Sequence, residues 1–518
     1  MTDWNFYGRS KEREDIEAIL KRKQFFFCQI SGRRRIGKTA LLEHILQNHE
    51  RRFYMQVPDS DAHGVVSAFE DALNIHGAPK NTARVASDNF AHMADYLSAF
   101  WSDEWVTVLD EFQYFHRKEL SAFPSHLQAR IDKARLSGQK PKQPQGGLFA
   151  LGSIHTEMMA ILEERNAPLF NRVTNRIELQ HWDFETLFEM FRAHEIEDSY
   201  HRLFLWSLFE GVPKFYRDCY DQNILERAEQ APHDLFIQSP SYRSETLRAV
   251  FFEGSAPLRE EAENWFLREL RGKYDTILKL IAKHRACDHA RLRNEYTDKH
   301  ANKVTHFSSY LETLTNHYQM VEKRHPFGAS PNSRKTRYAI SDNFLSSWLS
   351  SVARYVKAAR FQQIDKLIPQ ADEALKIHEG HMFEKFCRQA LEECGRKGVG
   401  RVEPTQPILS WWHRQGKAEI DLIAVNEYKK IIHFGSCKRK AKEHKGSLKS
   451  LHAAGQLFLQ SPEARPYKDW SCEFGLYSPE FPADIRTSFT NSGYYCTDMS
   501  DIENWLLCKG NNRGSKNG

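Results

Sequence analysis

The chain has 518 residues, of which 41% are hydrophobic and 27% are charged, and its 73 basic and 68 acidic residues give a net charge of +5. This length is enough for several domains with separate cores. No apolar run approaches the about 18 residues that span a bilayer, and the N-terminus lacks the basic and then apolar pattern of a secretory signal. We therefore expect a soluble, cytoplasmic protein without a membrane partner.

Nine cysteines are scattered along the chain without a C-x-x-C pair. Their spacing argues against a zinc ribbon or a disulfide framework and predicts reduced thiols. The slight excess of positive charge does not by itself indicate a nucleic-acid partner, because such binding depends on local clusters of charge. The motifs must therefore carry the functional interpretation.

A phosphate-binding loop is the first motif along the chain. A buried strand predicted over 24–30 leads into a full match to G-x-x-x-x-G-K-[ST], and helical spacing follows over 40–46. The residues of the motif are Gly32, Arg33, Arg34, Arg35, Ile36, Gly37, Lys38 and Thr39. Its backbone N–H groups and the helix N-terminus suit the phosphates of ATP. We expect Lys38 to reach the β- and γ-phosphates and the Thr39 hydroxyl to bind Mg²⁺.

Two carboxylates at the end of an apolar stretch supply the second part of an ATPase site. The stretch predicts a strand and ends in Asp110 and Glu111. We expect Asp110 to hold Mg²⁺ and Glu111 to polarise the attacking water. A further strand-like run over 147–151 leads to Ser153, which is a candidate sensor of the γ-phosphate, as is His155 just beyond it. A simple turn is the alternative for this segment.

Several motifs together resemble those of the archaeal-type P-loop ATPases of the AAA+/STAND lineage. The residues that carry the resemblance are 6–14, the phosphate-binding loop, the LDEFQ stretch at 109–113 and the Gly-Val-Pro stretch at 211–213. The resemblance implies an α/β fold class with a P-loop ATPase core and a helical lid. It also implies that Gly8, Arg9 and Pro213 border the base of the nucleotide.

The same resemblance implies an arginine sensor or finger. The segment 167–172 resembles a family segment that ends in Gly-Arg, so Arg172 would neutralise charge on the γ-phosphate. Asn171 stands in the place of the glycine, so the backbone there can differ from the family pattern. A salt-bridging surface arginine is the alternative interpretation.

The middle of the chain predicts a winged helix, a module that the same family carries. The predicted elements are helices over 274–282, 288–298 and 301–318 and strands over 320–324 and 336–340. The outward face of the third helix is polar with Lys303 as its one base, whereas a groove-reading helix normally carries more Lys or Arg. DNA recognition and a packing role both stay open, and Arg334, Lys335 and Arg337 are the best phosphate contacts.

The last part of the chain resembles the PD-(D/E)XK nuclease core. A helical stretch over 371–392 contains Glu384, and two predicted strands follow, one with Asp421 and one that ends with Ser436 and Lys438. The resemblance implies a C-terminal α/β restriction-endonuclease-like domain in which these four positions converge on Mg²⁺. The nuclease pattern has a carboxylate where this chain has Ser436.

Side-chain alternation bears on what this site can still do. Residues at i and i+2 of a strand share a face, which predicts Ser436 and Lys438 at the metal and Glu419 beside Asp421. Because Mg²⁺ commonly takes only one or two protein carboxylates, Asp421 with Glu384 or Glu419 could still bind it. Lys438 would stabilise the phosphate or orient water, and the following basic run would hold DNA. The basic residues are Arg439, Lys440, Lys442, Lys445 and Lys449.

The predicted domains are an ATPase at 1–185, a helical lid at 186–265, a winged helix at 266–345, a helical linker at 346–375, a nuclease-like domain at 376–508 and a disordered tail at 509–518. We expect an ATP-hydrolysing switch protein that uses Mg²⁺ and engages DNA, with cleavage left open by Ser436. The alternative is a nucleotide-dependent regulatory or scaffold protein whose inert nuclease fold binds a protein partner. No oligomeric state is predicted.

Overall fold

The computed structural model describes residues 3–78, 89–137, 144–153, 155–227, 242–253, 256–260, 273–299, 306–330, 333 and 335–508. The chain divides into two compact units. The N-terminal unit comprises Asn5–Trp182 and Val212–Phe215, and the C-terminal unit comprises the described part of Met1–Trp4, Asp183–Gly211 and Tyr216–Gly518. No helix within the described ranges is long and apolar enough to cross a membrane. The predicted tail at 509–518 lies outside these ranges.

The N-terminal unit alternates helices and strands. In chain order they are α1 (Ser10–Lys21), β1 (Phe26–Gly32), α2 (Lys38–Leu46), β2 (Arg52–Gln56), α3 (Ala62–His76), α4 (Phe90–Ser102), β3 (Val106–Asp110), α5 (Ala122–Ser137), β4 (Gly147–Gly152), α6 (His155–Leu162) and β5 (Asn175–Leu179). A 3₁₀ turn, Phe112–His116, follows β3. The three strands predicted around the ATPase motifs are therefore confirmed.

These strands form one parallel sheet in the order β2-β3-β4-β1-β5. Because all five run the same way, the loops after β1, β3 and β4 lie beside one another at the carboxyl edge. β1, β3 and β4 are buried along almost their whole length, as expected for a parallel sheet with helices on both faces. Consecutive residues Phe26 and Phe27 enter different cores, one on each face. The unit thus has the predicted α/β fold class, with a parallel sheet between helices.

The C-terminal unit begins with a helical region. Its helices are α7 (Phe184–Ala193), α8 (Ser199–Phe209), α9 (Pro213–Asp221), α10 (Ile224–Arg227), α11 (Tyr242–Leu247) and α12 (Pro257–Glu260), and the first residues of α9 belong to the N-terminal unit. A short π-helical turn, Arg248–Phe252, follows α11. The stretch predicted as a helical lid therefore consists of helices and short connections wherever it is described.

Three helices and a small antiparallel sheet follow. They are α13 (Lys273–His284), β6 (Cys287–Asp288), α14 (His289–Lys299), α15 (Phe307–Glu312), β7 (Val321–Arg324) and β8 (Arg337–Ile340), with the strands in the order β6-β8-β7. The described parts of the three helices and the strands β7 and β8 agree with the elements predicted for a winged helix, and β6 adds a short third strand. α15 buries Phe307 and Leu311 and continues into a π-helical turn, Thr313–His317. Lys303 and Arg334 lie outside the described residues.

The rest of the chain forms a second mixed sheet with helices. Its elements are α16 (Asn343–Ser347), α17 (Ala353–Ala358), α18 (Ile364–Arg396), β9 (Leu409–Trp412), β10 (Glu419–Asn426), β11 (Ile431–Cys437), α19 (His444–Leu459), β12 (Ser471–Tyr477), α20 (Ala483–Asn491), β13 (Tyr495–Thr497) and α21 (Met499–Leu507). The strand order is β13-β12-β11-β10-β9, antiparallel from β9 to β11 and parallel from β11 to β13. The domain boundary predicted after residue 375 falls inside α18, which is continuous there.

Candidate functional site

The loop between β1 and α2 has a backbone that requires glycine at two points. Gly32 has φ +146°, and a Cβ atom there would lie 2.6 Å from the carbonyl oxygen of Leu179. Gly37 has φ +91°, in the left-handed region that L side chains rarely adopt. The glycines therefore set the curvature of the loop that the sequence predicts around phosphates.

Lys38 is the buried cation of this loop. Its side chain is only 8% exposed, and Nζ donates to the carbonyl oxygens of Gly32 at 2.9 Å and Arg33 at 3.1 Å. Burial lowers the pKa of Lys38 to about 8, although Glu111 and Asp110 act in the opposite direction. Because the Lys38 ammonium is desolvated and bonded only to neutral carbonyls, a nearby anion would strongly stabilise its charged form. This environment fits the predicted contact with phosphate.

Asp110 and Thr39 meet at the end of β3. Thr39 Oγ1 donates to Asp110 Oδ2 at 2.6 Å, and the hydroxyl of Tyr54 donates to the same oxygen at 3.1 Å. The other carboxylate oxygen accepts from the backbone N–H of Glu111 at 2.8 Å. A hydroxyl and a carboxylate side by side are hard oxygen ligands of the kind that Mg²⁺ prefers. The two residues predicted to hold the metal are therefore brought together.

Glu111 is held by two polar neighbours. Its own φ is +55°, which turns the chain sharply after β3. Gln113 Nε2 donates to Glu111 Oε2, and Ser153 Oγ donates to the same oxygen at 3.3 Å. The backbone N–H of Ser153 donates to Gln113 Oε1 at 3.4 Å. The structure thus places the candidate sensor Ser153 against the candidate base, whereas the side chain of His155 lies outside the described residues.

Gln113 is a site residue that the sequence interpretation missed. It is 1% exposed and bridges the ends of β3 and β4 through Glu111 and Ser153. The sequence did contain a signal for it, because Gln113 is a polar amide only three residues after Asp110, the last residue of a buried strand. Only the pairing of β3 with β4 shows that this amide reaches the neighbouring strand.

The three residues predicted to border the nucleotide base lie beside the phosphate-binding loop. Arg9, with φ +63°, donates from Nη2 to the carbonyl oxygen of Ile36 at 3.1 Å and directly follows Gly8. A Cβ atom on Gly37 would lie 3.9 Å from Pro213. The guanidinium of Arg35 lies 5.8 Å from the ring centroid of Phe215. Gly8, Arg9 and Pro213 are therefore close to the phosphate-binding loop, and a role at the base stays a prediction.

Arg172 makes contacts that differ from those of a γ-phosphate sensor. Its Nε and Nη2 atoms donate to the two oxygens of Asp132 at 2.9 and 2.8 Å. Its Nη1 atom donates to the carbonyl oxygens of Pro168 and Phe170, each at 3.0 Å. The structure therefore supports the salt-bridging alternative. Asn171 has φ +60°, so the asparagine adopts the left-handed backbone that a glycine would supply.

A second candidate site lies on the C-terminal sheet. Leu422 pairs with Gly435, which brings Asp421 opposite Ser436 across β10 and β11. Asp421 Oδ2 accepts from the backbone N–H of Cys437 at 2.7 Å and from Ser436 Oγ at 3.5 Å, and it lies 3.8 Å from Lys438 Nζ. The structure therefore brings Asp421, Ser436 and Lys438 together, as predicted.

Glu384 of α18 completes this acidic cluster. The pKa of Asp421 is raised to about 7, first by burial and then by the negative charge of Glu384, against the opposing effect of Lys438. A cation between the two carboxylates would offset the repulsion between their negative charges. His381 Nδ1 lies 3.7 Å from Glu384 Oε1, and Arg285 Nη1 lies 2.6 Å from His381 Nε2. Because arginine only donates, this His381 nitrogen accepts, and the ring N–H faces Glu384.

The prediction that Glu419 would join Asp421 at a metal is not supported by its contacts. The register of β10 against β9 shifts between Ile420 and Ile423, and the charge of Glu419 adds to the raised pKa of Asp421 only after burial and Glu384. Glu419 accepts instead from Arg337 Nη1 at 2.8 Å, and the Arg337 guanidinium lies 4.3 Å from the ring centroid of Trp412.

The two described basic residues predicted as phosphate contacts of the wing are also bonded within the protein. Lys335 Nζ donates to Glu463, and Trp412 Nε1 donates to the carbonyl oxygen of Lys335 at 3.0 Å. Phe327 from the same connection joins the core of the C-terminal sheet. Lys335 and Arg337 therefore attach the hairpin to this sheet, and their role as phosphate contacts stays a prediction that these bonds do not favour.

The basic run after Lys438 divides into two groups. Arg439 donates from Nε to Glu379 at 2.9 Å, and the buried Glu379 also accepts from Arg243. Arg439 is thus part of a buried ion network. The other basic residues are exposed and could contact a polyanion; they are Lys440, Lys442, Lys445 and Lys449.

Comparisons with known proteins give three kinds of match. The DUF234 family, described as archaea bacterial proteins of unknown function, matches residues 348–449, a range that includes Glu384, Asp421 and Lys438. The uncharacterized protein MJECL04 of Methanocaldococcus jannaschii is 24% identical over 438 residues, which are 84% of this chain and 88% of that protein.

Two solved structures are similar in part. The Walker-type ATPase paby2304 of Pyrococcus abyssi has a TM-score of 0.49 and 15% identity, with 66% of this chain and 96% of that chain covered. The ORC2 protein of Aeropyrum pernix, in ADPNP and ADP complexes, has a TM-score of 0.43 and 16% identity, with 73% and 97% covered.

Proposed function

We propose that the N-terminal unit binds ATP together with Mg²⁺ and hydrolyses it. The observation that carries the proposal is the 2.6 Å contact between Thr39 Oγ1 and Asp110 Oδ2 at the entrance to α2, directly after a glycine-shaped loop. Buried Lys38 supplies positive charge on the other side of the loop. On ATP binding its Nζ exchanges the carbonyls of Gly32 and Arg33 for phosphate oxygens.

Mg²⁺ would be held by the Thr39 hydroxyl and, directly or through water, by Asp110. When bound, the ion neutralises charge on the phosphates and orients them. Glu111 is the general base in this proposal, because it is the carboxylate next to the metal ligands. Gln113 and Ser153 fix its orientation, and Ser153 stands at the end of β4, where a sensor of the γ-phosphate is needed.

The hydroxyl of Thr39 provides a sharp test of the metal site. Thr39→Ala removes the ligand, whereas the matched control Thr39→Ser keeps it. We expect Thr39→Ala to lower kcat by at least about tenfold and to raise the Mg²⁺ concentration needed for half-maximal turnover, which reflects the loss of one charge-assisted contact. Equal Mg²⁺ dependence in Thr39→Ala and the unmodified chain would contradict the proposed ligand.

We infer further that the nucleotide state controls DNA engagement by the C-terminal unit. The charge of Glu384 acts on Asp421, Lys438 Nζ lies 3.8 Å from Asp421, and the exposed lysines that follow β11 fit a phosphate backbone. These features support a nuclease-like domain that binds DNA through a metal ion and its basic surface. In this arrangement Lys438 contacts the phosphodiester next to the metal.

A second function is favoured by Ser436. This serine is buried at the position where the nuclease pattern has a carboxylate, so the cluster has one metal ligand fewer. The C-terminal unit would then be a catalytically inert binder in a nucleotide-dependent scaffold, with a protein as its partner. The two proposals differ in whether a divalent cation changes the affinity for DNA.

Binding and nicking of DNA with Mg²⁺ or Mn²⁺ separate the two. If the nuclease-like proposal is right, the cation strengthens binding, and Asp421→Asn abolishes this effect while Asp484→Asn, an exposed control on α20, does not. Ser436→Glu adds the missing carboxylate, and cleavage gained only in this variant would mark the natural domain as a binder without chemistry. DNA binding that is the same with and without the cation, in the unmodified chain and in Asp421→Asn, favours the scaffold.

A further inference from the structure

A concave pocket lies in the C-terminal unit next to the second candidate site, to which its Arg285 is linked through His381. Its volume is about 590 Å³, and its walls come from the turn after α13, from the segment around α17 and from the first half of α18. The lining includes Arg285, Ser350, Arg354, Tyr355, Gln370 and Ile377. Neither the phosphate-binding loop nor Asp421 contributes to it.

Two arginines in this pocket lack an acidic partner. Among the described residues, no carboxylate lies within ion-pairing distance of Arg285 or Arg354. Arg285 donates to His381 at 2.6 Å, and Arg354 Nη2 donates to the hydroxyl of Tyr355 at 2.7 Å. Burial lowers the pKa of Arg285, because its charge is partly removed from water without a compensating anion. The two arginines therefore give the pocket positive charge that no carboxylate neutralises, which favours a negatively charged ligand.

Two more deeply buried arginines of the same unit do have acidic partners. Arg243 donates to Asp372 at 2.6 Å and also bonds Glu379, and Arg202 donates to Glu503 at 2.8 Å. These partly or fully desolvated guanidinium groups are matched by carboxylates from the chain itself, as desolvated charges normally are. An anion from outside the chain would give Arg285 the equivalent partner.

The remaining polar groups of the pocket fit the same ligand. Ser350 Oγ lies 3.0 Å from Ser351 Oγ and 3.4 Å from Nδ1 of His378, a fully buried residue. Burial lowers the pKa of His378 to about 3, so the ring is neutral and orients the hydroxyl without adding charge. The one acidic residue of the lining, Glu373, is paired with Lys376 at 2.6 Å. The pocket thus presents two cations and a held hydroxyl.

We propose that this pocket binds a phosphate-bearing ligand of about nucleotide size, with its phosphate between Arg285 and Arg354 and within reach of Ser350. The planar guanidinium fork matches phosphate oxygens better than a lysine ammonium does. A volume of about 590 Å³ lies in the range of small-molecule sites and exceeds what a lone ion needs. Tyr355 and Ile377 offer an apolar wall for the non-phosphate part. The ligand is a free nucleotide or one nucleotide of a strand.

The experiment measures binding to the full chain by fluorescence anisotropy with a fluorescein-labelled single-stranded tetranucleotide, with AMP and inorganic phosphate as competitors. All proteins carry Lys38→Ala, so that the phosphate-binding loop does not contribute. Arg285→Gln and Arg354→Gln are the test variants. Lys357→Gln is the matched control, because Lys357 is an exposed cation on α17 that does not line the pocket.

We expect each arginine variant to weaken binding at least about fivefold, as for a charged hydrogen bond that is partly exposed, and Lys357→Gln to stay within about twofold. Competition by AMP or phosphate identifies a free phosphate ligand, and binding of the tetranucleotide alone identifies a strand. The proposal is overturned if none of the probes binds, if both arginine variants bind as tightly as their parent, or if Lys357→Gln loses as much. ATP turnover of the arginine variants with Lys38 intact is measured in parallel, so a failure here is distinct from a failure of the ATPase proposal.

Discussion

Glu111 is the residue on which the proposed hydrolysis depends most directly, and Glu111→Gln tests its role. The substitution keeps the size of the side chain and removes its ability to take a proton. Glu111 Oε2 accepts from Gln113 and Ser153, so the glutamine can keep one of these hydrogen bonds through its own carbonyl oxygen. The folded structure and the affinity for ATP are therefore expected to change little.

The expected loss lies in kcat. A positioned general base contributes about 10²- to 10⁴-fold, or about 3–5 kcal/mol of activation free energy at about 1.4 kcal/mol per factor of ten. Phosphate release at saturating ATP measures kcat, and a fluorescent ATP analogue measures affinity. Glu119→Gln, an exposed position shortly after the same strand, is the control. A kcat for Glu111→Gln within about threefold of the unmodified chain would refute the assignment of Glu111 as the base.

Three further predictions follow from contacts away from the reacting groups. Arg172→Ala should lower the free energy of unfolding by about 1 kcal/mol, which is the value for a half-exposed bidentate pair. ATP turnover should stay within about twofold of the unmodified chain. A tenfold loss of turnover at unchanged stability would contradict the structural role. Burial lowers the pKa of His201 and of His378 to about 3 each. As the pH decreases, these histidines therefore take up protons in the unfolded chain before they do so in the folded chain. The free energy of unfolding consequently falls as the pH decreases from about 6.5 toward 3. Urea unfolding at pH 7 and pH 5 should show this fall, reduced in His201→Gln; the same fall in both proteins would contradict it. Arg337→Gln should change the affinity for duplex DNA by less than about twofold, because the guanidinium is already bonded within the C-terminal unit, and a large salt-dependent loss would contradict this.

Much of the ATPase site could be predicted because its chemistry is local. The loop at 32–39 is one strand-to-helix connection, and Asp110 directly ends a buried strand. In a parallel sheet these strand ends lie at one edge, so Thr39 and Asp110 meet without any signal from distant sequence. The same arrangement explains why Ser153, at the end of β4, contacts Glu111.

The sequence could not decide those residues whose contacts depend on partners far along the chain. Arg172 is bonded to Asp132, 40 residues away, and Lys335 to Glu463, 128 residues away. Ion pairs of this kind leave no periodic pattern in the sequence. The bond of Glu419 with Arg337, 82 residues away, likewise has no signal in the sequence, and the role of Glu419 at a metal stays a prediction.

The central claim is that the loop at 32–39 supports ATP hydrolysis by this chain. The most direct measurement is steady-state ATP turnover of the full chain and of Lys38→Ala, with Lys21→Ala as a control for loss of an exposed lysine on α1. We predict Mg²⁺-dependent turnover that falls at least about 100-fold in Lys38→Ala and stays within about twofold in Lys21→Ala. Turnover that survives Lys38→Ala would contradict the account, because another site would then perform the hydrolysis.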